Sequence, residues 1–292
     1  MRWKKARRSD NVIDKRGKGR ALGGKGLSLG AVAVIVVIGL LSGQDPMQIV
    51  GNIANQAFQQ GGINSGATSN NQQTAPTHDA QSEFVRAILG DTEDTWRLLF
   101  QHAGKTYQDP SLVLFNGSVR SACGYADSAV GPFYCPGDQQ VYLDLSFFKE
   151  MEQRFAATGE FAQAYVIAHE VGHHVQTLLG VSARVQAARQ RGDRVTGHNG
   201  LLVRQELQAD CFAGVWAHHA QQRHAWLEPG DLKDALNAAQ AIGDDRLQKQ
   251  AQGHVVPDSF THGTSAQRER WFSQGYKTGQ VNQCDTFAAQ QL

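Results

Sequence analysis

The segment His169-Glu170-Val171-Gly172-His173 combines the side-chain types and the spacing of a catalytic metal site. Residues four apart in a helix differ by only ~40° around its axis, so His169 and His173 project from one face. Two imidazoles on one face can bind a single metal ion, and this motif is typical of zinc proteases. Glu170 lies beside them and is expected to act as the general base that takes a proton from water.

A second acidic group, Glu206-Leu207-Gln208-Ala209-Asp210, follows on the next strongly helical segment. A hydrolytic zinc site needs three protein ligands and an open position, and two histidines with one glutamate form a known set. We therefore expect Glu206 to be the third ligand. Asp210, one turn further along, is expected to accept a hydrogen bond from a ligand histidine and fix its tautomer. The alternative is that both acids lie on a solvated helix face.

Helices are the elements expected to position these residues. The apolar periodicity predicts a helix or helix pair over residues 84–99, with an interruption near Gly90. Short apolar runs between residues 111 and 145 are typical of a small sheet. Further helices are predicted near residues 146–157, 161–180, 200–222, 230–250 and 265–277. The fold class is therefore α+β, mainly α.

The chain has four cysteines, all of them after residue 100, and no two of them form a CxxC motif. Three pairings are possible in principle. We favour Cys123–Cys135, which closes a short loop containing Gly and Pro, together with Cys211–Cys284, which ties a helix to the C-terminal segment. Such bonds require an oxidising compartment.

The N-terminal part of the chain has a charge pattern of its own. The formal net charge is +1, yet residues 1–26 carry ten Lys or Arg against Asp10 and Asp14. Residues 26–44 are uncharged, and as a helix they would rise roughly 28 Å, close to the ~30 Å of a bilayer core. We expect an uncleaved transmembrane anchor at residues 27–43. A cleaved signal peptide is the rival, but the long basic region and the lack of an A-x-A-like site argue against it.

The positive-inside tendency gives this anchor a direction. The basic head, residues 1–26, should stay in the cytoplasm, so that the chain beyond Asp45 lies on the other side. The expected location is the inner membrane, single-pass, with the catalytic domain in the periplasm. Residues 44–81 are polar and low in complexity and are expected to form a flexible tether before a domain at residues 82–292. A nucleic-acid-binding tail is a less simple explanation of the head, and we expect no nucleic-acid partner.

The two motifs together resemble a known family. His169-Glu170-x-x-His173 followed by Glu206-x-x-x-Asp210 is similar to the gluzincin pattern of thermolysin. The longer strings AHEVGHHVQ (168–176) and ELQADC (206–211) resemble the bacterial YpfJ-like neutral zinc metallopeptidases. The likeness covers most of the chain, with the tether least similar. It implies a zincin-like domain with bound Zn²⁺, and by analogy with zincins the run 139–145 would be an edge strand that pairs with an extended substrate.

A further stretch, Thr261-His262-Gly263 with the following Arg268, is similar to the Thr-His-Pro stretch of membrane metalloproteases of the CAAX prenyl protease and HtpX kind. Gly263 replaces the proline. Because peptide hydrolysis creates an oxyanion, we expect His262 to donate a hydrogen bond to it, with Arg268 orienting His262 or an acidic neighbour. The alternative is that His262 only caps the helix that begins near Ser265, although Ser and Thr already explain that cap.

These observations predict a membrane-anchored zinc metalloendopeptidase that acts on protein or peptide substrates with Glu170 as general base. One alternative is a non-catalytic, zinc-stabilised module that binds another envelope protein. Glu170 argues against it, because a structural site has no use for a base beside an open coordination position. A hydrolase acting on peptide cross-links of the cell wall is a third possibility.

Overall fold

The computed structural model describes residues 1–16, 79–155, 159–241 and 243–292. The predicted anchor at 27–43 lies outside these residues, as does nearly all of the predicted tether. Among the helices that are described, none combines the length and the apolar character needed to cross a membrane.

The described residues form a mainly helical α+β fold, as predicted. The helices are α1 (Ala80–His102), α2 (Ser146–Phe155), α3 (Glu160–Leu178), α4 (Val181–Gln190), α5 (Leu201–His224), α6 (Asp231–Ala241), α7 (Asp244–Gln252) and α8 (Ser265–Thr278). The strands are β1 (Val12–Asp14), β2 (Ser111–Phe115), β3 (Ser118–Ser121), β4 (Gly124–Asp127), β5 (Phe133–Cys135) and β6 (Gln140–Asp144). Short 3-10 turns occur at Ser128–Val130, Pro257–Ser259 and Val281–Cys284.

The predicted interruption near Gly90 is wrong, because α1 is continuous. The helix begins with a capping box between Asp79 and Ser82 and runs unbroken through Gly90. A Cβ added at Gly90 would lie 2.9 Å from the backbone oxygen of Arg7. The glycine therefore allows a second piece of backbone to touch the helix and does not end it.

Two other helix predictions need correction. The single helix predicted at residues 230–250 is two helices, α6 and α7, with Gly243 as the N-cap of α7. A Cβ at Gly243 would lie 2.5 Å from the backbone nitrogen of Ser265, so the chain turns where another segment packs closely. Helix α4, which follows the left-handed Gly180, was not predicted.

The main sheet has four strands in the order β1-β2-β6-β5. Strands β1, β2 and β6 are parallel, and β5 is antiparallel to β6. The expectation that residues 139–145 form a substrate-binding edge is wrong, because β6 already pairs with β2 on one side and β5 on the other. Strands β1 and β5 are the two edge strands of this sheet, while β3 and β4 form a separate hairpin.

Strand β1 comes from the segment predicted as a cytoplasmic head. Val12 aligns with Leu112 and Asp14 with Leu114 in the parallel pair with β2. Trp3 is buried in the same hydrophobic core as α1, α3 and α5. Residues 1–16 are thus part of the sheet and the core of the domain, which the sequence analysis did not predict.

The functional helices α3 and α5 cross the centre of this core. Glycines let α5 and α8 approach each other closely, because a Cβ at Gly214 would collide with the backbone oxygen of Phe272, and one at Gly275 with that of Cys211. Helix α8 is thereby held against α5. This contact brings Arg268 of α8 within hydrogen-bond distance of Asp210, four residues after Glu206 on α5.

Candidate metal centre

His169 and His173 of α3 and Glu206 of α5 converge, as the sequence predicts. One ligand atom from each lies within 4.8 Å of the other two. Nε2 of His169 is 3.3 Å from one carboxylate oxygen of Glu206, and Nε2 of His173 is 3.5 Å from the other. Ligands about 2.0–2.2 Å from a tetrahedral zinc ion are separated by roughly 3.3 Å. The donor set therefore fits zinc in both chemistry and spacing.

Gly172, inside the motif, explains how two helices come close enough to share a metal. A Cβ at this position would lie 3.0 Å from the backbone oxygen and 3.1 Å from the Cα of Ala209. Ala209 is three residues after Glu206, on the neighbouring turn of α5. The absence of a side chain at Gly172 thus lets α5 pack against α3 at the height of the ligands.

Asp210 fixes the first histidine. Its Oδ1 is 2.9 Å from Nδ1 of His169, and its side chain has no solvent exposure. Arg268 donates to both of its oxygens at 2.9 and 3.0 Å, and the hydroxyl of Tyr165 donates to Oδ1 at 2.5 Å. The position predicted for Asp210 is therefore the observed one, and Arg268 contacts this acidic neighbour.

These contacts set the charges around the histidine. Burial opposes ionisation of Asp210, but the charges of Arg268 and His169 hold the pKa of its carboxyl below the usual value. Burial likewise opposes ionisation of His169, while Asp210 and Glu206 raise the pKa of the imidazole to about 10. Burial opposes ionisation of Glu206 as well, yet His173 and His169 hold its pKa well below normal. The pocket is built to keep both carboxylates ionised.

Gln176, which the sequence analysis missed, fixes the second histidine. Its Oε1 is 2.9 Å from Nδ1 of His173, and its Nε2 donates to the backbone oxygen of Gln205 at 2.6 Å and to the side chain of Gln208 at 3.1 Å. Gln176 is fully buried. Its place three residues after His173, on the same helix face, is the signal that could have identified it.

The hydrogen-bond chain continues to a disulfide. Gln208 donates to the backbone oxygen of Cys284 at 3.0 Å, and Cys284 is bonded to Cys211. The other disulfide joins Cys123 and Cys135. Both pairings were predicted, and they account for all four cysteines.

Glu170 lies between the ligand histidines in sequence and is 8% exposed. Among the described residues it has no hydrogen-bond partner, which distinguishes it from the firmly held Asp210 and Glu206. A buried carboxylate that is not engaged elsewhere is available to accept a proton.

His262 lies in the turn before α8 and pairs with Asp244, a residue that sequence reasoning missed. Oδ1 of Asp244 is 3.2 Å from Nδ1 of His262. Its Oδ2 accepts the backbone N–H groups of Thr261, His262 and Gly263 at 2.6 to 3.0 Å. The imidazole is 51% exposed. Burial lowers its pKa, but the charges of Asp244 and Glu206 outweigh this effect and raise it.

The turn is placed against the helix that carries Glu206. A Cβ at Gly263 would lie 3.1 Å from Val203 and 3.3 Å from Leu207, both on α5. The N-cap of α8 is Thr264, which forms a capping box with Gln267. His262 is thus not the cap, and Asp244 rather than Arg268 holds it.

His174, next to His173, is a packing residue. It is fully buried, with Nε2 2.6 Å from the backbone oxygen of Gln108 and Nδ1 3.1 Å from the hydroxyl of Tyr134. Its imidazole connects α3 to strand β5 and to the segment before β2.

Comparison with known proteins agrees with this geometry. The sequence model of the family described as "Putative neutral zinc metallopeptidase" matches residues 1–287. The chain belongs to this family. The resemblance recognised in the motifs is therefore confirmed, and a zinc family together with the His-His-Glu cluster identifies Zn²⁺ as the cofactor.

Relatives in distant bacteria share most of the chain. "Uncharacterized protein YpfJ" of Escherichia coli (strain K12) is 49% identical over 293 residues, which cover 98% of this chain and 99% of that protein. "Uncharacterized protein Rv2575" of Mycobacterium tuberculosis (strain H37Rv) is 45% identical over 221 residues, or 72% of this chain and 73% of that protein. No solved structure matches the chain.

Proposed function

We propose that the protein is a zinc-dependent endopeptidase of the zincin type, with His169, His173 and Glu206 as metal ligands and Glu170 as general base. One observation carries the proposal: a His-His-Glu donor set, with ligand atoms within 4.8 Å of one another, lies next in sequence to a buried, unengaged carboxylate, Glu170. A purely structural zinc site has four protein ligands and no base. The described residues offer three ligands and a base.

Zinc at this position supplies a Lewis acid and lowers the pKa of a water molecule at its open position. Glu170 accepts the proton of the attacking water and passes it to the leaving amine. Asp210 and Gln176 hold the two imidazoles with Nε2 turned toward Glu206. These three residues thus supply proton transfer and ligand orientation.

His262 is proposed as the hydrogen-bond donor to the substrate carbonyl oxygen as that oxygen gains charge. Asp244 engages Nδ1, so Nε2 is the nitrogen that can face the substrate, and it donates when the ring is protonated. The raised pKa keeps the ring protonated to higher pH than an ordinary histidine. Asp244 acts through His262 and is a positioning residue.

Peptides are the substrate class that suits this site. Strand β5 ends the sheet and contacts α3 through Tyr134 and His174. An extended peptide added to β5 would run beside the helix that carries the ligands and would be held by its backbone. Protein loops and cell-wall peptide cross-links both offer such a backbone.

An extracytoplasmic location is supported by the two disulfides, because such bonds persist in oxidising compartments. Contact with the inner membrane is proposed through the apolar residues 27–43. These proposals concern where the enzyme works and are independent of its chemistry.

Cleavage of casein or a fluorogenic peptide by the zinc-loaded protein tests the proposal. We expect activity that a chelator abolishes and that Glu170→Gln removes while zinc stays bound. Wild-type activity in Glu170→Gln would refute the assignment of the base. Stoichiometric zinc without any cleavage would instead favour the non-catalytic interaction module.

A further inference from the structure

Residues 1–16, here called the N-terminal segment, are built into the domain formed by residues 79–292. Besides the β1–β2 ladder, the N–H of Lys15 donates to the oxygen of Leu114 at 2.8 Å. The N–H of Leu112 donates to the oxygen of Asn11 at 2.9 Å. The edge of β2 and the adjoining face of α1 form the docking groove for this segment.

A buried charge in the groove depends on the segment. Glu93 of α1 is fully buried. Its carboxylate accepts hydrogen bonds from Ser9 at 2.5 Å, Asn11 at 2.8 Å and Arg7 at 2.7 Å. All three donors belong to the N-terminal segment. A buried carboxylate deprived of such partners is strongly destabilising, so the groove is built to hold this segment.

The apolar and backbone contacts between the N-terminal segment and α1 are also specific to this segment. Trp3 is 6% exposed and meets Phe84 of α1 edge to face, with ring centroids 5.3 Å apart. At Gly90 the three nearest atoms to an added Cβ all belong to Arg7 and Ser9. The helix therefore has a glycine at the point where the backbone of the segment crosses it.

The two ends of the intervening chain meet. Arg16, where the described N-terminal segment ends, donates to Asp79 at 2.7 Å, and Asp79 is the N-cap of α1. The described chain therefore stops at residue 16 and resumes at residue 79 at one place on the domain. A chain that crossed a bilayer once between these points would need them on opposite faces.

We propose that residues 1–16 and 79–292 fold as one unit on the same side of the membrane, so that the single-pass topology expected from the sequence does not hold. A single crossing would place residues 1–16 and the docking groove in different compartments. A second copy could not supply the segment, because its own residues 1–16 would lie on the same wrong side.

Thiol labelling in intact bacterial cells tests the proposal on the full chain. All four native cysteines are in disulfides, so one introduced cysteine is the only reactive thiol. Lys5 and Lys105 are both exposed, one in each part. With a membrane-impermeant maleimide, Lys5→Cys and Lys105→Cys are expected to behave alike, both labelled before lysis or both only after it. Labelling of one before lysis and the other only afterwards would overturn the proposal; the unsubstituted protein is the control.

Gly90→Ala provides a second test, in which the direction of the change in Tm decides between docking and no docking. Replacing a glycine in the interior of a helix by alanine ordinarily stabilises the helix. With the segment docked, the new Cβ meets the Arg7 oxygen at 2.9 Å, so the Tm of the full chain is expected to fall. The exposed Gln101→Ala on the same helix is the control and is expected to leave Tm nearly unchanged. A higher Tm in Gly90→Ala would contradict docking.

Discussion

Each of the two imidazoles proposed to bind zinc has its Nδ1 fixed by a different kind of acceptor. His169 faces the carboxylate of Asp210, and His173 faces the neutral amide of Gln176. A charged acceptor makes an imidazole a stronger donor to the metal, while an amide fixes orientation without adding charge. The motif HExxH alone identifies the ligands, but these partners are what orient them.

Removal of the amide acceptor is expected to weaken zinc binding. In Gln176→Leu, His173 loses the partner of Nδ1, and the zinc Kd should rise about 10- to 100-fold. Competition with a chromogenic chelator measures this. Thr177→Val is a matched control, because the Thr177 hydroxyl bonds the backbone of His173 but not its ring. Equal zinc affinity in Gln176→Leu and the wild type would show that the amide does not position the ligand.

The Asp244–His262 pair makes the pH dependence testable. As pH rises through the raised pKa of His262, the ring loses its proton and its strength as a donor, so kcat/KM should fall on the alkaline side. Asp244→Asn removes the charge that raises this pKa, so the fall should begin at lower pH, with zinc content unchanged. An alkaline limb that stays in place would remove His262 from the mechanism.

His262→Ala is the companion measurement at the residue scale. Loss of one oxyanion donor costs about 10²–10³ in kcat. We expect a loss of that size at neutral pH, chiefly in kcat rather than KM, with zinc still bound. Unchanged kcat would rule out stabilisation of the transition state by this ring.

At the scale of elements, the two disulfides offer a matched comparison. Cys211–Cys284 closes a loop of 73 residues and Cys123–Cys135 one of 12. The chain-entropy model gives a loss of unfolding free energy of about 4 kcal/mol for the long loop and about 3 kcal/mol for the short one. Denaturant unfolding of the two paired Cys→Ala variants measures this order.

The same variants separate stability from site geometry. Only the long-loop disulfide anchors Cys284, whose backbone oxygen holds Gln208 and, through it, Gln176. Zinc affinity should therefore fall in the Cys211/Cys284 variant and stay constant in the Cys123/Cys135 variant. Equal affinities would show that the C-terminal segment does not support the ligand.

Helix periodicity and motif spacing predicted α3, α5, α8 and the three side chains that converge, His169, His173 and Glu206, because those signals are local in sequence. Local sequence signals gave a wrong prediction, or none, where a residue's role depends on contact with a segment that is distant in sequence. Gly90 looked like a helix break, yet it serves contact with Arg7. Run 139–145 was rightly predicted as a strand, but its neighbours on both sides were not visible in its own sequence. Asp244 gave no signal, since it meets His262 only through the tertiary fold.

At the scale of the whole molecule, charge composition was the misleading signal. Ten basic residues before an apolar run suggested a head independent of the domain. Several of these cations instead meet acids of α1 or its cap, as Arg7 does with Glu93 and Arg16 with Asp79. A three-residue strand between charged residues has no recognisable periodicity, so its partner nearly one hundred residues away could be found only in the fold.

Two helices, α3 and α5, are proposed to deliver three side chains to one zinc ion. Zinc stoichiometry of the purified full chain, measured for the wild type and for Glu206→Ala after the same dialysis, tests it most directly. We predict one zinc per wild-type chain and a large loss in Glu206→Ala, while a folded control such as Glu150→Ala on α2 retains the metal. Full zinc occupancy in Glu206→Ala at wild-type affinity would contradict the account.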